Sequence, residues 1–106
     1  MAKFLISGSY TAEGAKGLMK EGGSGRKAVV QKALEGLGGK IESIYYTFGA
    51  ADVIVICDVP DAVSALALSI AANSSGTVRI STTPLLSVEE VDAACKKTTA
   101  YRGAGA

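Results

Sequence analysis

The stretch Asp52-Val53-Ile54-Val55-Ile56-Cys57-Asp58 decides the fold of this 106-residue chain. Five apolar side chains follow one another without the polar alternation of a strand that has one face in water. The run is short, rich in β-branched residues and bounded by aspartates, so it predicts a strand that is dry on both faces. Helices can cover one of these faces, and the other face needs a different cover.

The segments around this strand predict three more strands. Alternating side chains indicate strands over 3–10, 40–48 and 77–82. The short link 49–51 makes the second and third strands of the chain a hairpin.

Helical signals fill the remaining segments. Residues 12–21 favour a helix that Thr11 caps, but Gly14 and Gly17 each cost about 1 kcal/mol relative to Ala, so this helix is either short or closely packed. A glycine-rich break over 22–25 separates it from a second helix over 26–37. Asp61 marks the start of the next helix. Its predicted packing stripe consists of Val63, Leu66, Ala67 and Ile70.

This order of elements matches an α+β, ferredoxin-like βαββαβ domain with a four-stranded antiparallel sheet. Ser87 and Glu90 have capping-box spacing, which predicts an extra C-terminal helix. We expect a single domain over 1–100 and a loose tail over 101–106. Because helices cover only one face of such a sheet, a second copy of the chain is the simplest cover for the other, and the C-terminal helix is the alternative.

Composition narrows the possible partners. A net charge of +1 does not favour nucleic acid, and the apolar stretches are too short for a membrane span or a signal peptide, so we expect a cytoplasmic protein. The chain has no histidine, and Cys57 and Cys95 are too far apart for a metal-binding or redox pair, so we predict no metal and no cofactor. Both cysteines are interpreted as structural.

Two groups of residues are candidate binding residues. The first group is aromatic or basic and lies on predicted strands, where it could line a small-molecule pocket, although strand tyrosines more often fill the core or an interface. The second group follows the glycine-rich break and could hold an anion, although a plain loop between helices is the simpler interpretation. The first group is Tyr10, Tyr46, Phe48 and Arg79, and the second is Ser24, Gly25, Arg26 and Lys27.

Several segments of the sequence also resemble those of a known family. The opening KFLISGSYTAEGAKGL, residues 3–18, resembles the start of GYD-domain proteins. The resemblance continues through Gly-Gly-Lys before the second strand, Tyr-Tyr-Thr-Phe-Gly at the hairpin, Val-Pro-Asp before a helix, and Thr-Thr-Pro-Leu-Leu after the last strand. These segments are 38–40, 45–49, 59–61 and 82–86. One position departs from the pattern, because Ala51 stands where the family tyrosine would fall.

The resemblance implies a ferredoxin-like fold of the dimeric α/β-barrel group, found in bacteria and archaea, with a mostly unassigned role. We therefore consider three functions: a homo-oligomeric module that binds or senses a small molecule, a cofactor-free oxygenase or isomerase, and a structural protein that forms assemblies. For the enzyme, Tyr46 or Arg79 would supply the polar group of an apolar pocket.

Overall fold

The computed structural model describes all 106 residues and places seven elements along the chain. Four are strands and three are helices, in the predicted order except that one helix replaces the predicted pair after the first strand. They are β1 (Ala2–Tyr10), α1 (Ala12–Gly36), β2 (Lys40–Tyr46), β3 (Val53–Val59), α2 (Ala62–Ser74), β4 (Val78–Leu85) and α3 (Val88–Cys95). No helix is both long enough and apolar enough to span a bilayer.

The strands form one antiparallel sheet in the order β2-β3-β1-β4. The two central strands pair with Leu5 opposite Ile56 and Ile6 opposite Val55. The α+β, ferredoxin-like βαββαβ plan with an added C-terminal helix is therefore confirmed.

The core lies between one face of the sheet and helices α1 and α2. Alternate residues of β1 and β3 point into it, because side chains alternate across a strand. Leu34 of α1 is 0% exposed and Ala65 of α2 is also buried against the same cluster. The strand residues of this core are Phe4, Ile6, Val53, Val55, Cys57 and Val59.

The other face of the sheet has no helix over it. Leu5, Ile54 and Ile56 lie on this open face and are partly exposed. All eight residues of α3 are exposed, so this helix does not lie over the sheet as the alternative cover. The apolar run of β3 therefore has one buried face and one apolar face that remains accessible.

Helix α1 differs from the predicted pair of helices. It continues through the glycine-rich segment, and only Gly22 leaves helical geometry, with φ of 75°. This left-handed backbone conformation carries little steric cost for glycine. The predicted break over 22–25 is thus a one-residue kink, and residues Ser24 to Lys27 are helical.

The first turn of α1 packs directly on Thr77, the residue before β4, which is the closely packed alternative of the prediction for this helix. A Cβ atom on Gly14 would lie 1.8 Å from the carbonyl oxygen of Thr77. The same oxygen accepts a hydrogen bond from the Thr11 amide at 3.0 Å, and the Thr11 side chain caps the helix by accepting from Gly14 N at 3.2 Å. In contrast, a Cβ on Gly17 would meet no atom within 4 Å.

Helix α2 begins as predicted, because the Asp61 carboxylate accepts a hydrogen bond from the Ser64 amide at 2.8 Å. This bond lowers the pKa of Asp61. The predicted packing stripe is wrong, however. Val63, Leu66 and Ile70 are between 58% and 76% exposed, and Ala65 with Leu68 faces the core instead. Nearly every position of this helix is apolar, so periodicity could not identify its inner side.

Strand β2 departs from simple alternation. A bulge between Ile41 and Ser43 places Ile41 and Ile44 on the same, helix-covered face, opposite Cys57 and Val55. The strand also ends at Tyr46, two residues before the predicted end.

Polar contacts fix the strand ends. Lys3 Nζ lies 2.7 Å from a carboxylate oxygen of Glu42 and 3.1 Å from one of Asp58, so one ammonium links three strands. At the hairpin, the Asp52 carboxylate accepts from the Tyr10 amide at 2.8 Å.

Of the two cysteines, Cys57 is buried as interpreted, but Cys95 is exposed on α3, which corrects its assignment as a buried structural residue.

Candidate functional site

An apolar cavity of about 330 Å³ lies between α1, α2 and the helix-covered face of the sheet. Thirteen of its 16 lining residues are hydrophobic. Three hollows of about 390, 540 and 410 Å³ are larger, but only three of nine, five of eleven and four of seven of their lining residues are hydrophobic. Ligand pockets typically combine an apolar lining with a few polar groups, so the smaller cavity is the better candidate site.

The cavity exists because α1 and α2 both lie on the sheet but apart from each other. Small side chains line it where the helices face each other, with Ala33 on α1 and Ala72 on α2. Val53 and Val55 of β3 form part of its floor. A larger residue at either alanine would project into this space.

Tyr10 and Tyr46 separate the cavity from a neighbouring hollow of about 410 Å³, since both rings line both spaces. The Tyr46 hydroxyl donates a hydrogen bond to the carbonyl oxygen of Gly23, 2.9 Å away, immediately after the kink of α1. Burial and the nearby Tyr10 raise the pKa of Tyr46, while the guanidinium of Arg26 opposes that rise. Tyr46 therefore stays protonated at neutral pH and acts as a donor.

Arg26 is the only charged residue among the cavity's lining residues. Its side chain is 26% exposed, and its nearest carboxylate is that of Glu21, with Nη1 and Oε2 3.6 Å apart. The guanidinium makes no side-chain hydrogen bond within the chain. Its N–H donors therefore have no hydrogen-bond partner within the chain, and Glu21, which lines a small neighbouring hollow, is the carboxylate beside them.

The structure brings together only some of the predicted pocket residues. Tyr10 and Tyr46 line the cavity. Phe48 is 99% exposed in the hairpin, and Arg79 pairs with Ser9 on the open face of the sheet. Neither Phe48 nor Arg79 reaches the cavity. Phe48 lies beyond the end of β2 at Tyr46, and the alternation of side chains along β4 places Arg79 on the open face.

The predicted anion-binding residues are also divided. Ser24 and Gly25 lie in α1 rather than in a loop, and Arg26 and Lys27 line different hollows. The two cations therefore do not converge on one site. The binding of an anion by this group stays a prediction, and Arg26 is the member that the structure places beside the tyrosines.

Sequence reasoning missed the cavity residues of the helices. Val29, Val30, Ala33 and Ala72 line the cavity, but none of them is among the residues that the sequence predicts to bind a ligand. A cavity between two helices depends on their separation, which periodicity does not report.

These features define a small ferredoxin-like α+β domain with an apolar cavity between its helices and its sheet. The model of the GYD domain matches residues 4–95, so the chain belongs to the GYD-domain family. The family resemblance of the sequence is thus confirmed. No curated protein and no solved structure matches the chain.

Proposed function

We propose that this GYD-domain chain is a homo-oligomeric module that binds a small molecule in the cavity between α1, α2 and the sheet. The cavity itself carries the proposal, because about 330 Å³ of mostly apolar space lies within the usual range of ligand sites. By volume, it is about twice an apolar cavity that holds benzene, so it suits a ligand of roughly a dozen heavy atoms.

Two matched substitutions on α2 test the ligand site. Ala72 lines the cavity, whereas its neighbour Ala71 is exposed. We expect indole, a neutral apolar probe, to shift amide resonances of cavity residues in wild type and A71L, and to lose most of its binding in A72L. Equal binding to both variants would place the probe elsewhere and overturn the proposal.

The open face of the sheet supports the homo-oligomer. Leu5 and Ile56 are directly opposite each other at its centre, and Ile54 lies two residues along β3. Fully burying such a side chain stabilises a protein by about 1.5–3 kcal/mol relative to its exposed state. A second copy stacked on this face would bury all three side chains while leaving the cavity, on the other side of the sheet, accessible.

A structural, assembly-forming role is the second candidate, and the outer face of α2 favours it. Val63, Leu66 and Ile70 form an exposed apolar stripe with helical spacing, which a neighbouring copy could cover. The two candidates use opposite sides of the molecule and are therefore separable by mutation.

Sedimentation velocity of I56K and V63K separates these interfaces. If the open face joins two copies, I56K is monomeric and V63K remains dimeric. If α2 forms the contact, the result is reversed. A wild-type chain that sediments as a monomer at micromolar concentration would contradict both homo-oligomers.

The enzyme hypothesis gains no such support. The cavity lining contains no carboxylate, histidine or cysteine, which are the usual general bases, and Tyr46 is held protonated. Arg79, the other residue considered for catalysis, lies on the opposite face of the sheet. We therefore propose binding rather than a reaction.

A further inference from the structure

We infer that the ligand of this cavity is an apolar monocarboxylic acid whose carboxylate binds Arg26 and whose tail lies between α1 and α2. This inference rests on the proposed ligand site and adds the chemical class of its occupant. It derives from the distribution of charge around the cavity, where one cation borders an otherwise uncharged lining.

The polarity of the cavity lining favours a ligand with one polar end. Thirteen hydrophobic residues favour an apolar tail. Besides Arg26, the polar groups of the lining are those of Ser75 and Thr77 and the hydroxyls of Tyr10 and Tyr46, and the Tyr46 hydroxyl already donates to Gly23. A ligand with several polar groups would leave most of them without partners, which costs free energy in an apolar space. A ligand with its polarity at one end avoids that cost.

The charge of Arg26 favours a negative polar end on the ligand. A buried carboxylate requires a paired charge and hydrogen bonds, and a guanidinium offers both in a planar arrangement that matches two carboxylate oxygens. Arg26 is three-quarters withdrawn from water and borders the cavity. A cationic ligand head would instead meet this guanidinium as a like charge.

Glu21 is the competing partner. Its Oε2 atom lies 3.6 Å from Nη1 of Arg26, which is an ion pair without a short hydrogen bond, and Glu21 is itself substantially exposed. Exposed pairs of this kind contribute little, so a ligand carboxylate can replace or share the contact. Glu13 lines the small hollow next to Arg26 and adds a second negative charge there. Removing the Glu21 charge should therefore strengthen binding of an acid.

The test compares two probes that differ only in charge, 4-phenylbutyrate and 4-phenylbutanamide. Each has about a dozen heavy atoms, which suits the cavity volume. Titrations followed by two-dimensional NMR at pH 7 give both dissociation constants. We expect wild type to bind the acid about tenfold more tightly than the amide, because charge-assisted hydrogen bonds are roughly twice as strong as neutral ones.

Three variants locate the discrimination. R26Q should bind the acid and the amide within about twofold of each other. K27Q removes an equal charge from the adjacent residue, which lines a different hollow, and should keep the tenfold preference. E21Q should bind the acid more tightly than wild type and leave amide binding unchanged.

Two kinds of failure are distinguishable. Equal binding of acid and amide by wild type, or an undiminished preference in R26Q, would overturn the carboxylate inference while indole binding still supported the cavity as a ligand site. Failure of indole and both probes to bind would overturn the proposed function and this inference together.

Discussion

The contrast between Gly14 and Gly17 gives the sharpest test of how α1 is held. Both glycines occupy the first part of the helix, so replacing either with alanine gains about 1 kcal/mol of helix propensity. At Gly17 the new methyl group meets open space, and this gain should appear in full. At Gly14 it would stand 1.8 Å from the Thr77 carbonyl oxygen, so the helix must move away from β4.

The magnitude for Gly14 follows from three effects. Overpacking costs about 1–3 kcal/mol, and displacement weakens the Thr11-to-Thr77 hydrogen bond, which contributes about 1 kcal/mol. The propensity gain of about 1 kcal/mol offsets part of this loss. We expect G14A to lower the free energy of unfolding by about 1–3 kcal/mol and G17A to raise it by about 1 kcal/mol.

Urea unfolding followed by circular dichroism at 222 nm measures both changes. For a domain of this size the melting temperature should fall by about 5–20 °C in G14A and rise by about 4–8 °C in G17A. If both variants proved more stable than wild type, the first turn of α1 would not pack on β4 as described, and the reasoning would be refuted.

Three further predictions concern burial and charge. L34A should lower the free energy of unfolding by about 3–5 kcal/mol and L66A by about 1 kcal/mol or less, because Leu34 is 0% exposed and Leu66 is 58% exposed. Urea unfolding measures both losses, and equal losses would contradict the assigned burial. Burial raises the pKa of the Cys57 thiol, so at pH 8 a thiol reagent should modify Cys95 within minutes and Cys57 only after unfolding, as mass spectrometry of the labelled peptides would show. Because the pKa of Asp61 is lowered in the folded state, its stabilising effect is present above the unfolded pKa and is lost as pH falls below about 4; D61N should weaken this acid dependence, and an unchanged pH profile would exclude the cap as its source.

Sequence patterns were reliable wherever one residue type has one local role. Thr11 and Asp61 cap helices as predicted, and the Ser87–Glu90 capping box is present in full. The unbroken apolar run Val53–Cys57 predicted a strand, and β3 contains it. Such signals depend on hydrogen bonds and burial within a few residues of the chain, so distant packing does not alter them.

Predictions failed where several arrangements satisfy the same pattern. The uniformly apolar α2 provides no contrast between faces, so its stripe was assigned to the exposed side. No residue type marks the bulge in β2. A strictly alternating strand would place Ile41 and Ile44 on opposite faces, whereas the bulge places both on the helix-covered face. The candidate site was predicted in part, because Tyr10 and Tyr46 line the cavity, but no pattern in the sequence reports the separation of α1 and α2 that creates it.

The cluster of Lys3, Glu42 and Asp58 limits how two sheets could align. An apolar patch alone would allow one copy to slide over the other, but this cluster occupies one corner of the open face, next to the row that holds Leu5 and Ile56. A slipped alignment that covered the corner would strip water from three charges at once. In a dimer stacked through the open face, as proposed above, the ion cluster would therefore favour an alignment that keeps this corner hydrated.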